Sequence, residues 1–288
     1  MSREVELGPA VLLRPEDLLE NAKYLLELGE RKAIRSVILE SMTALEVYVH
    51  NKVFNILETK YDAAFVKWLK AKTRFNFDDR LGYITPFALN GDILAFKESE
   101  LWRRYKNARE LRNNATHMGI EILFEEAEKV YKTVYDWLAY LESSVGLELS
   151  LHEFKQTIVQ SGISSVNDYL DLLNEFYLRS RPGFNLRDIT QIEYPIDLAF
   201  EWGLKFGQIT VSLDTKMSSG TMNDFNYLVE TVIGQTRIKL ENPNINKAAI
   251  IIFHRGELPE SFEFVRHFED GRIYIVAIEV EVVHTRIY

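Results

Sequence analysis

The spacing of apolar residues changes once along this 288-residue chain, from a helical period to an alternating one, and that change points to a two-part architecture. Pro15 suits the first turn of a helix in which Leu18, Leu19, Ala22, Leu25 and Leu26 recur on one face. A longer stripe follows from about Arg31 to Tyr61, carried by Ile34, Val37, Ile38, Leu45, Tyr48 and Val53. Phe65, Trp68 and Leu69 suit a shorter helix, whereas residues 74–92, with Pro86, Gly82 and Gly91, should be looser. Helices are expected again over 98–118 and 120–143, with Gly119 between them. No alternating segment precedes residue 190, so residues 1–145 are expected to form an all-α bundle that ends where Ser143-Ser144-Val145-Gly146 interrupts the pattern.

The second part reads differently. After a helical stretch at 166–179, alternation appears in 197–202, 209–217, 248–254 and 273–283, with a helix over 222–240 between the second and third segments. The order helix, strand, strand, helix, strand, strand implies an α/β domain over residues 150–288.

Composition restricts the chemistry. Hydrophobic residues make up 47% and charged residues 27%, an ordinary globular balance. Cysteine is absent, which excludes disulfides, thiolate zinc sites and thiol nucleophiles and suits a reducing, cytoplasmic setting. The N-terminal twenty residues carry charge throughout and no apolar core of a secretory signal. The longest apolar runs, such as Ala248–Phe253, are too short to span a bilayer, so no membrane is expected. The net charge is −9, made up of −3 over residues 1–150 and −6 over the rest, so a nucleic-acid partner would have to be met by a local basic patch. No G-x-G-x-x-G or Walker pattern suggests a bound nucleotide, and no His/Asp/Glu spacing suggests zinc.

One such patch exists. Residues 101–117 place Arg103, Arg104, Lys106, Arg109 and Arg112 within ten positions and end in Arg112-Asn113-x-x-x-His117. RNA cleavage through the ribose 2′-hydroxyl needs a side chain that moves protons near neutral pH, which is histidine's property. It also needs a cation to hold the phosphate as charge develops, which arginine's fork of donors supplies. No metal is required, because the substrate carries its own nucleophile. Arg112 and His117 are five apart, and on a straight α-helix such positions point roughly 140° away from each other. They share a substrate only if the helix departs from that geometry or if two copies pool their groups. The plainer alternative is a solvated pair on a helix surface.

The motif, late in a helical bundle, resembles the Arg-polar-x-x-x-His signature of the HEPN superfamily. The resemblance covers about half the chain and implies a homodimer with the motifs facing across a cleft. By that resemblance Arg112 contacts the scissile phosphate of RNA, His117 moves the proton, Asn113 supports both and Glu46 on the long helix orients Arg112. It also allows a non-catalytic dimerisation or sensing module.

A second constellation lies in the alternating half. Ile209, Val211 and Leu213 take one face of a strand, and Thr210, Ser212, Asp214 and Lys216 the other. Asp197 opens the preceding strand after Pro195, where a strand tolerates proline. If the strands pair as a hairpin, Asp197 and Asp214 approach one another. Two carboxylates and a lysine on one side of a sheet suit Mg²⁺, which activates water and offsets phosphate charge. Pro195-x-Asp197 followed by Asp214-x-Lys216 resembles the PD-(D/E)xK restriction-endonuclease-like family, with Asp where glutamate is more usual. That resemblance implies metal-dependent cleavage of DNA, with Gln235 on the following helix as a polar support. The pairing of the two resemblances is similar to that of prokaryotic defence or toxin effectors.

Overall fold

In the computed structural model, residues 14–72, 76–118, 121–161, 185–187, 198–204 and 207–279 are described below. The chain is helical in its N-terminal part and builds a mixed sheet in its C-terminal part. The helices are α1 (Pro15–Leu28), α2 (Ile34–Tyr48), α3 (Phe54–Lys60), α4 (Ala63–Ala71), α5 (Phe77–Asp79), α6 (Thr85–Ala88), α7 (Ile93–Glu98), α8 (Glu100–Asn113), α9 (Phe124–Leu141), α10 (Leu147–Ser161) and α11 (Met222–Lys239). The strands are β1 (Asn185–Arg187), β2 (Leu198–Leu204), β3 (Gly207–Ser219), β4 (Lys247–Arg255), β5 (Arg266–Phe268) and β6 (Ile273–Glu279).

Two compact units divide these elements: residues 14–51 with 97–138, and residues 52–96 with 139–279. In the first, α1, α2, α8 and most of α9 bury Leu18, Leu19, Val37, Leu45, Tyr48, Trp102, Tyr105 and Trp137. Pro15 sits in the first turn of α1, where its missing N–H costs nothing, and Gly29 closes the helix at φ 65°. Trp137 keeps its indole N–H satisfied by donating to the Leu101 carbonyl at 3.1 Å.

In the second unit the strand order is β1-β2-β3-β4-β6-β5. β3, β4 and β6 run parallel to one another in sequence order across the centre, and β2 and β5 pair antiparallel on either side. Side-chain alternation sorts the sheet into two faces. One buries Val211, Leu213, Ala249, Ile251, Phe253, Tyr274, Val276 and Ile278 with Leu147, Leu151 and Phe154 of α10. The other buries Ile250, Ile252, Ile273 and Ile275 with Phe225, Val229 and Ile233 of α11. Coverage on both faces explains why 248–253 is a continuous apolar run. The turn from β3 into α11 needs Gly220, whose φ is 134° and where a Cβ would stand 2.7 Å from Asp224 Oδ2. That carboxylate completes the capping box with Thr221 at the start of α11.

Several expectations are modified. Residues 77–88, expected to be loose, form α5, α6 and a π turn at Arg80–Ile84. The Ser143–Gly146 stretch is likewise a π turn, Glu142–Gly146, which leads into α10. The expected helix at 166–179, residue Asp197 and the segment 280–283 lie outside the described residues. No helix among the described residues is long and apolar enough to cross a membrane.

Candidate functional site

Arg112 stands in the last turn of α8, and Asn113 is the last residue of that helix. Tyr105 and Arg112 are seven apart, two helical turns, and so share the face of α8 directed at α2. On α2, Glu46 Oε1 lies 3.7 Å from the Arg112 guanidinium, with both side chains a little over one third exposed. That distance is an ionic contact rather than a hydrogen bond. The buried Tyr105 phenol lies near both: burial first, then the Glu46 charge, push it well above its ordinary range, and Arg112 pulls it partly back. It stays a neutral hydroxyl beside the pair.

α8 does not continue as a regular helix. Asn114–Met118 form a π turn, whose hydrogen bonds reach five residues back and whose wider coil advances fewer degrees per residue. The divergence expected on a straight helix between Arg112 and His117 is thereby reduced. Ala115 is buried and anchors the turn, while His117 is exposed and Asn113 half-buried. Thr116 donates its hydroxyl to the Arg112 carbonyl at 2.8 Å, which takes up one acceptor loosened by the irregular turn. The structure brings together Arg112 and Glu46, and sets His117 on the same irregular helix end, open to solvent.

A groove of ≈ 300 Å³ runs beside α8, lined by Arg104, Asn107 and Leu111 and by Lys129 and Lys132 of α9. The basic patch of the sequence is smaller in space than in the chain. Arg103 pairs with Glu100 at 2.7 Å, Arg104 with Asp136 at 2.7 Å and Lys132 with Glu128 at 2.9 Å.

In the sheet, Asp214 occupies the face covered by α11, its register partner being Ile250 on β4. It is buried, and Lys239 of α11 donates to both carboxylate oxygens at 2.7 and 2.8 Å. Lys216, two residues on, is half-buried, and Gln235 is exposed on α11. Lys239, absent from the sequence reading, lies 25 positions from Asp214, and only the crossover of α11 over the sheet unites them. Both Asp214 oxygens accept from the Lys239 ammonium, and Asp197, the other carboxylate expected here, lies outside the described residues.

Two histidines without any suggestive spacing acquire partners. His254 is buried on the α11 face, with Nδ1 3.1 Å from Ser218 Oγ and its ring edge-on to Phe225. His267 turns a buried side chain to the other face, with Nε2 2.8 Å from Glu148 Oε2, and Glu148 in turn pairs with Lys60 at 2.7 Å. Neither of these two atoms has a hydrogen-bond partner among the described residues, and the contact is an ion pair only when His267 carries a proton. Burial opposes the Glu148 charge, but His267 and Lys60 outweigh it and hold this carboxyl below its ordinary range.

Comparison with protein-family models, with curated proteins and with solved structures finds no match, so both resemblances rest on this chain's own residues.

Proposed function

We propose that the helical unit is a metal-independent endoribonuclease of HEPN type, acting as a homodimer on RNA through Arg112, Asn113 and His117. The observation that carries the proposal is the end of α8: an exposed His117 on a π turn, following an Arg112 held by Glu46 from a second helix. In the reaction the 2′-oxygen attacks the adjacent phosphorus and the 5′-oxygen leaves, giving a 2′,3′-cyclic phosphate and a 5′-hydroxyl. His117 takes the 2′-proton or returns one to the leaving oxygen. Arg112 binds the non-bridging oxygens, whose charge grows in the transition state, and Glu46 limits the positions its guanidinium takes. Asn113, at the junction of α and π geometry, supports the arginine. The groove beside Lys129 and Asn107 offers a path for the strand. For the sheet, no step is assigned to a cation, since Asp197 lies outside the described residues and Asp214 accepts from Lys239.

The test is cleavage of labelled single-stranded RNA in EDTA. Wild type is expected to cut; His117→Ala is expected to lose about 10²–10⁴-fold and Arg112→Ala about 10²–10³-fold in rate. A folded wild-type dimer that leaves RNA intact would instead make this unit a dimerisation or sensing module.

A further inference from the structure

On the sheet face covered by α10, the second unit holds a cavity of ≈ 570 Å³ that no step above uses. Lys247 opens β4 on the same side as Ala249 and Ile251, so its side chain belongs to this face. Its Nζ donates to Ser144 Oγ at 3.1 Å and to Tyr274 OH at 3.0 Å, and lies 5.2 Å from the Tyr274 ring centroid. Both acceptors are neutral hydroxyls. His267 shares the cavity wall and packs on the same tyrosine ring, with centroids 4.8 Å apart.

The carboxylates around the cavity have other duties. Glu148 of α10 serves Lys60 and His267, and Glu269 accepts from Arg237 at 2.8 Å. Asp92 caps α7, accepting from the Leu94 and Ala95 amides at 2.7 and 3.2 Å. Asp270 is exposed in its turn. Among the described residues of the wall, the other permanent cation is Arg272, which donates to the Leu240 carbonyl at 3.1 Å. Tyr274 and Tyr140 are pushed up by burial and stay neutral. Among the described residues Lys247 is thus a half-buried amine whose hydrogen-bond partners are both neutral, and desolvation brings it down to about 7. Amines desolvated in this way are the ones that act as nucleophiles toward carbonyl carbon.

We propose that this cavity is a carbonyl-binding site in which the Lys247 amine condenses with a small aldehyde or ketone to form an imine. The Nζ lone pair adds to the carbonyl carbon, and the carbinolamine takes a proton on its oxygen and loses water as C=N forms. Amine and carbonyl become imine and water, with no oxidant or reductant. His267 is the wall group able to pass that proton, and Glu148 Oε2 stands 2.8 Å from its Nε2. Phe96 and Tyr140 supply the apolar wall.

The experiment treats the full chain with glyoxylate and sodium cyanoborohydride near neutral pH and maps the reduced adduct by peptide mass spectrometry. Lys247 is expected to be modified about a hundredfold faster than the exposed lysines, because a far larger share of its amine is unprotonated. His267→Gln is expected to slow the reaction without moving it to another residue. Modification spread over surface lysines, with Lys247 no faster than they are, would overturn the proposal and leave this amine a structural donor to Ser144 and Tyr274. The wild-type map decides this whether or not Lys247→Met folds.

Discussion

Lys247 makes a demand on stability that can be read from its own titration. In the unfolded chain a lysine ionises near 10.5, whereas in the folded chain this one does so near 7. Between those limits the unfolded state holds a proton that the folded state lacks, so stability rises with pH across the window and is flat below it. Glu148 has the same sign in a more acidic window: its folded-state value is depressed, so its contribution is complete at neutral pH and is lost only as the pH falls into acid. Urea midpoints measured from pH 7 to pH 9 are therefore expected to rise for wild type and to stay nearly level for Lys247→Met, which should also be the more stable at pH 7. Parallel slopes for the two proteins would show that the amine does not titrate there. Nothing local in Asn-Ile-Asn-Lys-Ala-Ala distinguishes this lysine. Its partners stand 103 and 27 positions away, and a pattern read along the chain has no access to a triangle closed by folding.

Elements were legible where burial repeats with a fixed period. Ile209, Val211 and Leu213 do face α10, and the helix expected over 222–240 is α11, because a buried stripe must recur at the period of its element. Alternation also placed Asp214 on the opposite face, but it gave no sign that α11 covers that face and brings Lys239 onto the carboxylate. The π turn after α8 was equally hidden, since a wider coil of five residues barely disturbs the spacing of the apolar positions. Glu46 and Arg112 belong to this scale: two helices each contribute one charge, and the contact is worth under about 1 kcal/mol at such exposure. Its role in the proposal is positional. Glu46→Gln is expected to leave the fold and the KM for RNA unchanged while lowering kcat about tenfold, because Arg112 keeps its charge and loses its orientation. A wild-type kcat in that variant would remove Glu46 from the site.

For the whole molecule the question is how a chain of net charge −9 holds an anionic strand. Long-range repulsion works against it, and several cations of α8 and α9 are committed: Arg103, Arg104 and Lys132 each carry an acidic partner within 3 Å. Among the described residues, Lys129 in the groove and Arg112, whose contact with Glu46 is a loose 3.7 Å, are then the cations best placed to meet phosphates. Each phosphate neutralised on a single strand lowers the logarithm of the binding constant by about 0.7 per decade of salt. Three contacts give a slope of about −2, and binding should weaken by about tenfold to twentyfold between 50 and 200 mM salt. Fluorescence anisotropy of labelled RNA with His117→Ala, which binds without cutting, measures this directly. A slope steeper than about −5 would require a basic surface that the ion pairs of α8 and α9 do not leave free, and would place the strand elsewhere on the chain. A slope near zero would mean that the phosphates are not what this helix end holds, and the RNase proposal would fall with it.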